Sequence, residues 1–220
     1  LTDRADGLEG VKVIAHNIWE TPRFLEPQYA KSFRHVSQFL DRGTRQAYRE
    51  GRVDPLPAFY YQMPKYYREN PADVFFVMLT EPDEEGYCSY GLNADYSVAN
   101  MEAAKVVVAQ INPSLPWTNG SRVHLDELDY IVVHDQALPE LTKSKTSGVE
   151  EQIAAHIVPY IKDGACLQLG IGGLPDAILG FLKDKKHLGI HSEVLSEGII
   201  DLYESGVIDN SCKQLDKGRI

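Results

Sequence analysis

With 220 residues, 43% of them hydrophobic and 10% aromatic, the chain can bury one large core or two smaller ones, which excludes a disordered or fibrous class. A formal charge of −10 argues against nucleic acid or an anionic membrane as partner, because both reward a basic surface; a small anionic ligand needs only a few local amides or cations. The first apolar run, VKVIAH (11–16), is short and β-branched and predicts a buried strand. TRQAYREG (44–51) predicts a helical turn closed by Gly51. VDPLPAFYYQMP (53–64) predicts an extended segment, since its three prolines bar a helix interior. DVFFVMLT (73–80) reads as a strand apolar on both faces, as in a sheet covered by helices, and it runs into EPDEEGYCSYGLN. SVANMEAAKVVVAQI (97–111) predicts a helix capped by Ser97 and stopped by the Asn-Pro pair at 112–113. RVHLDELDYIVVHD (122–135) predicts one or two strands.

The polar stretch ALPELTKSKTSG (137–148) predicts a linker, dividing a first domain, 1–147, from the start of a second, 148–220. GVEEQIAAHIVPYIKDG (148–164) predicts a helix with Ile153, Ile157, Tyr160 and Ile161 on its packed face, acids in its first turn, Gly164 as its stop and a kink at Pro159. ACLQL (165–169) predicts a strand, LPDAILGFLKD a helix and HLGI (187–190) a second strand. The alternation of strand and helix through both parts is that of an open α/β fold with parallel-sheet layers.

Cys88, Cys166 and Cys212 are odd in number and far apart, which fits neither a disulfide framework nor a structural zinc site. Reduced thiols in a cytoplasm are the simplest reading, and no metal is expected. No apolar run approaches the length of a membrane span, and LTDRADGLEG lacks the basic-then-apolar layout of a signal peptide. The chain begins without Met and stops at DKGRI, which reads as a piece of a longer protein.

Gly170, Gly172 and Gly173 in LQLGIGGLPDAIL lie between a predicted strand and a predicted helix, where glycine permits φ > 0 and close approach of the backbone to a ligand. Pro175 and Asp176 suit the first turn of that helix. The free amides of Gly172, Gly173 and Leu174 would point at whatever sits above the strand end, be it phosphate, carboxylate or the oxyanion of an acyl intermediate. The loop is not a Walker loop, nor does GIGGLP meet the G-x-G-x-x-G spacing of a dinucleotide fingerprint. A plain tight turn between strand and helix explains the glycines equally well.

If 165–169 and 187–191 are neighbouring parallel strands, a right-handed crossover brings Gly172 and Glu193 of LGIHSEVLSEG to one edge. A carboxylate facing backbone amides is the arrangement acyl transfer requires. His191, Ser192 and Glu193 cannot form a triad, because adjacent residues of an extended strand point to opposite faces. Glu197, before the helix-like IIDLYESG, reads as a first-turn acid. Composition and spacing leave Glu193 either a nucleophile or an ordinary loop carboxylate.

The run LQLGIGGLPDAILGFLKDKKHLGIHSEVLSEGIIDLYESGVIDN resembles the acetyl-CoA hydrolase/transferase family of class I CoA-transferases, most of all its 4-hydroxybutyrate and butyryl-CoA:acetate branches. GTRQAYREGRVDPLPAFYYQMP, DVFFVMLTEPDEEGYCSYG and NPSLPWTNG resemble that family's first domain. The resemblance implies the two-domain open α/β fold shared by CoA-transferases and some sugar-phosphate isomerases, here with the opening unit of the first domain and much of the second missing, so that this chain alone is expected to lack activity and the second part to leave an apolar face uncovered. It implies Glu193 as the glutamate nucleophile, and Gln168, Leu169, Gly170, Ile171, Gly172 and Gly173 as the CoA-thioester and oxyanion loop. It implies a ping-pong transfer between acyl-CoA and small carboxylates, with CoA as a substrate, no permanently bound cofactor, and a homodimer for the whole protein. Hydrolysis of acetyl-CoA on the same scaffold, or a non-catalytic module binding anions or sugar phosphates, are the alternatives. Tyr87, Ser89 and Asn93 are candidates for the acyl pocket or for simple turn chemistry.

Overall fold

The computed structural model describes residues 1–15, 21–140 and 146–220, and it divides into two compact units, Leu1–Leu138 and Pro139–Ile220. His16, at the end of the first predicted strand, and residues 141–145 of the predicted linker lie outside the described residues. In the first unit, β1 (Val11–Ile14), β2 (Phe33–Ser37), α1 (Arg45–Arg49) and β3 (Val53–Pro55) come first along the chain. These strands form a parallel sheet in the order β1-β2-β3, in register from Val11 opposite Phe33 and from His35 opposite Val53. The strict alternation of burial along β2, Phe33, His35 and Ser37 inward, is the period-two signature of a half-buried strand. His35 is fully buried, its Nδ1 lies 2.9 Å from the Val13 carbonyl oxygen, and burial lowers its pKa, the bond to Val13 opposing that shift.

The prolines of 53–64 do end β3, but Pro64 stands in the first turn of a helix, α2 (Met63–Glu69), where its missing N–H costs nothing. β4 (Phe75–Leu79) and β5 (Tyr87–Ser89) follow, then α3 (Ser97–Ala103), β6 (Val107–Ile111), β7 (Arg122–His124) and β8 (Tyr130–Val133). The expected helix over 97–111 is therefore a helix and a strand. The β-branched pair Val107-Val108 opens β6 between β4 and β8, where burial and pairing outweigh helix periodicity. Ser97 does not cap α3 with its side chain; Asp95 Oδ1 accepts the Ser97 N–H at 3.0 Å instead.

Sheet β4-β6-β8 packs one face into a core of Val77, Leu79, Val107, Ala109 and Ile111 with Cys88 and Val123 from the antiparallel pair β5-β7 and Tyr90 just after β5. Its other face is open: Phe76 is 64% exposed and every residue of β8 is exposed. This corrects the reading of 73–80 as covered on both faces; apolar side chains are also left exposed on the second unit, among them Val149, Ile153, Ile200 and Tyr203.

The second unit is built on α4 (Gly148–Ile157), β9 (Cys166–Leu167), α5 (Gly173–Gly180), β10 (Gly189–Ile190) and α6 (Glu197–Glu204). At Pro159 the α-helix gives way to a 3-10 turn, Val158–Tyr160, because proline cannot continue the backbone ladder. That re-aims the expected face: Tyr160 is 85% exposed, and Ala154 with Val158 and Ile161 turn inward. β9 and β10 pair parallel, Gly189 opposite Cys166, and Leu188 forms a further parallel bridge with Ile208. Leu188 and Ile190 are fully buried against Leu179, Leu182, Ile199 and Leu202, so the short strand β10 is central to this core.

Candidate active site

Because β9 and β10 are parallel, the glycine loop and Glu193 leave the same edge of the sheet, the carboxyl end at which open α/β sheets bind ligands. Gly189 N–H donates to the Ala165 carbonyl and His191 N–H to that of Leu167, both at 2.9 Å. In a regular parallel ladder the next rung would run from Leu169 N–H to the His191 carbonyl. A side chain takes that rung: Ser192 Oγ accepts the Leu169 N–H at 3.1 Å and donates to the Leu169 carbonyl at 2.9 Å. Gly170 and Glu193 are thus the residues that follow a bonded pair. On the far side of β10, Asn210, buried and at φ 58°, accepts the Ile190 N–H through Oδ1 at 2.9 Å.

The three loop glycines have three different circumstances. Gly172, at φ 126° and ψ 176°, occupies a region essentially closed to residues with a side chain. Gly173 opens α5 with the Glu150 carboxylate packed where a Cβ would stand. Gly170 has neither constraint: its φ is ordinary and no atom lies within 4 Å of a Cβ placed there. The tight-turn reading accounts for Gly172 and Gly173 and leaves Gly170 without a reason inside the fold.

The amides of Gly170, Ile171, Gly172, Gly173 and Leu174 donate to no acceptor among the described residues. Gly170 and Gly172 are exposed, and Ile171 holds an apolar side chain 80% exposed at the loop tip. Leu169 packs against the core while Gln168 faces outward, the alternation of a strand that has just ended. An anion or a developing oxyanion placed above this loop would meet free N–H donors and the start of α5.

Glu193 is exposed at a bend that follows His191 and Ser192 after β10, and His191 is exposed as well. The Ser192 hydroxyl is committed to Leu169, so the three side chains form no triad. Glu197 is the first residue of α6, as a first-turn acid should be. A further carboxylate was not anticipated at the site: Glu150 closes a capping box, its Oε2 accepting the Ser147 N–H at 2.6 Å and the Ser147 hydroxyl at 2.8 Å while lying against Gly173. Those bonds, the backbone one first, lower its pKa. Ser-x-x-Glu at 147–150 marks the capping box in the sequence, but nothing local marks the contact with Gly173.

In the first unit, Ser89 is fully buried, and its hydroxyl donates to the Thr118 carbonyl at 3.0 Å and accepts the Gly91 N–H at 3.1 Å. That is turn chemistry. Tyr87 carries the Arg122 guanidinium 4.5 Å from its ring centre, and Asn93 is exposed. A concavity of about 380 Å³ lies on the open face of sheet β4-β6-β8, lined by Phe76, Met78, Val108, Gln110, Val132 and His134. It contains none of the glycine-loop residues.

Comparison with known proteins places this geometry. The family model of the acetyl-CoA hydrolase/transferase N-terminal domain matches residues 12–141. The chain belongs to the acetyl-CoA hydrolase/transferase family. It is 42% identical to the 4-hydroxybutyrate coenzyme A transferase of Clostridium kluyveri over 99% of this chain and 51% of the relative. It is 36% identical to the succinyl-CoA:cyclohexane-1-carboxylate CoA transferase of Geobacter metallireducens over 100% of this chain and 50% of that protein. Among solved structures, RipA from Yersinia pestis superposes with a TM-score of 0.90 at 31% identity, covering 99% of this chain and 54% of that one. The chain thus spans about half the length of the curated family members it matches. The open α/β fold with parallel sheets expected from the sequence is the fold of this family's solved structures. Among the described residues no helix is long and apolar enough to cross a membrane.

Proposed function

We propose that the protein to which this chain belongs is a CoA-transferase, moving CoA between a short-chain acyl-CoA, 4-hydroxybutyryl- or butyryl-CoA, and acetate through Glu193. The observation that carries this reading is the parallel pair β9-β10, since the segment bearing the exposed Glu193 and a glycine loop whose amides have no acceptor among the described residues both leave the same edge of it. Kinship with proteins named as CoA transferases supports it. Gln168, Leu169, Gly170, Ile171, Gly172 and Gly173 form the loop on which the thioester rests. Transfer proceeds in the cytoplasm, in a homodimer of the whole protein.

The chemistry follows from the arrangement. A Glu193 carboxylate oxygen attacks the thioester carbonyl; the oxyanion that develops meets the loop amides, and collapse expels CoA thiolate, leaving an acyl-glutamyl anhydride. The thiolate then attacks the glutamyl carbonyl of that anhydride, releasing the first carboxylate and leaving a glutamyl-CoA thioester. Acetate attacks this thioester and the two steps run in reverse. Each preorganised amide donor contributes about 3 kcal/mol to the first transition state. Water reaching the anhydride would give hydrolysis instead, so exclusion of water at the loop governs the outcome.

The test is product analysis with the whole protein, 4-hydroxybutyryl-CoA and acetate. Acetyl-CoA should appear, and Glu193→Gln should abolish it. CoA release that is equally fast without acetate, with no new acyl-CoA when acetate is present, would overturn the transferase reading.

A further inference from the structure

We propose that Ser192 is a positioning residue that sets the distance between Glu193 and the glycine loop, by replacing one backbone rung of the β9-β10 ladder with two side-chain bonds to Leu169. This inference rests on the reading of Glu193 as the nucleophile. The ladder is regular up to His191, whose N–H reaches the Leu167 carbonyl at 2.9 Å. Had it continued through the His191 carbonyl, residues 191–193 would have stayed in strand geometry and Glu193 would have been held in the plane of the sheet.

With the Ser192 hydroxyl satisfying both the N–H and the carbonyl of Leu169, at 3.1 Å and 2.9 Å, the backbone turns away at the next residue without leaving either group of Leu169 unpaired. The bend at Glu193 follows at once. Leu169 is itself anchored, partly buried against the core cluster of the second unit, so the clamp refers the carboxylate to a rigid element. On the other strand, Gly170 begins immediately after the clamped residue. One hydroxyl therefore ties together the two chain segments that carry the candidate nucleophile and the candidate donors. Ser192 touches no reacting atom in this scheme. Its contribution is geometric, and misplacement of a reacting group by about 1 Å lowers rates by about a hundredfold.

The test uses the whole protein and the kinetics of acyl-CoA consumption in Ser192→Ala, Ser192→Thr and Glu193→Gln. Ser192→Ala is expected to lower kcat by about ten- to a hundredfold with KM for acyl-CoA within about twofold, because the lost interaction places the nucleophile rather than the CoA. Ser192→Thr, which keeps the hydroxyl, is expected to recover most of kcat. A Ser192→Ala protein with wild-type kcat would overturn the inference, as would a loss of kcat that Ser192→Thr shares in full while both variants keep the wild-type circular dichroism and melting midpoint. Retention of transfer by Glu193→Gln would instead overturn the nucleophile itself, whatever the Ser192 variants do.

Discussion

Alanine at two glycines of one loop separates what the fold requires from what a ligand requires. At Gly172 the backbone sits at φ 126° and ψ 176°, yet nothing lies within 4 Å of the added methyl, so the whole penalty of Gly172→Ala is conformational. Backbone held in so sparse a region costs about 1–3 kcal/mol for a residue with a Cβ. At Gly170 the same substitution meets no neighbour and no disallowed φ, and reducing the freedom of the unfolded chain should stabilise the folded state by about 0.4–1 kcal/mol. Urea unfolding of the two variants beside the parent protein measures both. The expected order is Gly170→Ala at or above wild type and Gly172→Ala below it by about 1–3 kcal/mol. Transfer activity of the whole protein should run differently under the proposed function, falling in Gly170→Ala although that protein is at least as stable, since the proposal puts the thioester where the methyl would stand. Equal destabilisation by the two substitutions, or a stable Gly170→Ala protein with full activity, would refute the reasoning.

Three further outcomes test the frame that holds the site. Ile190→Ala empties a fully buried position in β10 and should cost about 2–5 kcal/mol in urea unfolding. Gly91→Ala combines φ 63° with a Cβ only 2.5 Å from Leu115 Cγ, so it should lower the melting midpoint, and an unchanged midpoint would show that the Leu115 side chain yields freely. The hydrogen bond from His187 and, after it, those from Ser211 hold the Asp209 pKa down to about 2 from 3.8. The unfolded chain therefore binds the extra proton first as pH falls, and the stability that Asp209 contributes is complete above pH 3.8 and lost on descent through about 2. Asp209→Asn should flatten that stretch of the stability-pH curve, and an unchanged acid limb would show that the pair with His187 contributes nothing.

The second unit was the more legible part of the sequence, for a physical reason: several of its elements begin or end at residues that mark a boundary by themselves. Ser147-x-x-Glu150, Gly164 and the acid at Glu197 mark element ends through local backbone chemistry, which needs no tertiary information. The first unit misled where tertiary pairing decided the outcome. Val107 and Val108 follow a helical stretch with no break residue between, and only their place between β4 and β8 makes them strand. Met63–Glu69 was hidden by a proline that in fact stands in the helix's first turn. The open face of β8 was likewise unreadable, because a run such as Tyr-Ile-Val-Val looks the same whether one face is covered or two. At the candidate site, strand alternation ruled out a triad but not the reason Ser192 turns inward, since a side chain standing in for a backbone rung leaves no periodic trace. Glu150 was missed because it belongs to the preceding helix and reaches the loop only through folding.

The most direct test of the account is mass analysis of the Glu193-containing peptide after the whole protein has reacted with acyl-CoA in the absence of acceptor. A covalent CoA or acyl adduct on that peptide, lost in Glu193→Gln, is the result the account predicts. An adduct that persists in Glu193→Gln, or one that maps to another carboxylate such as Glu150 or Glu197, would contradict it.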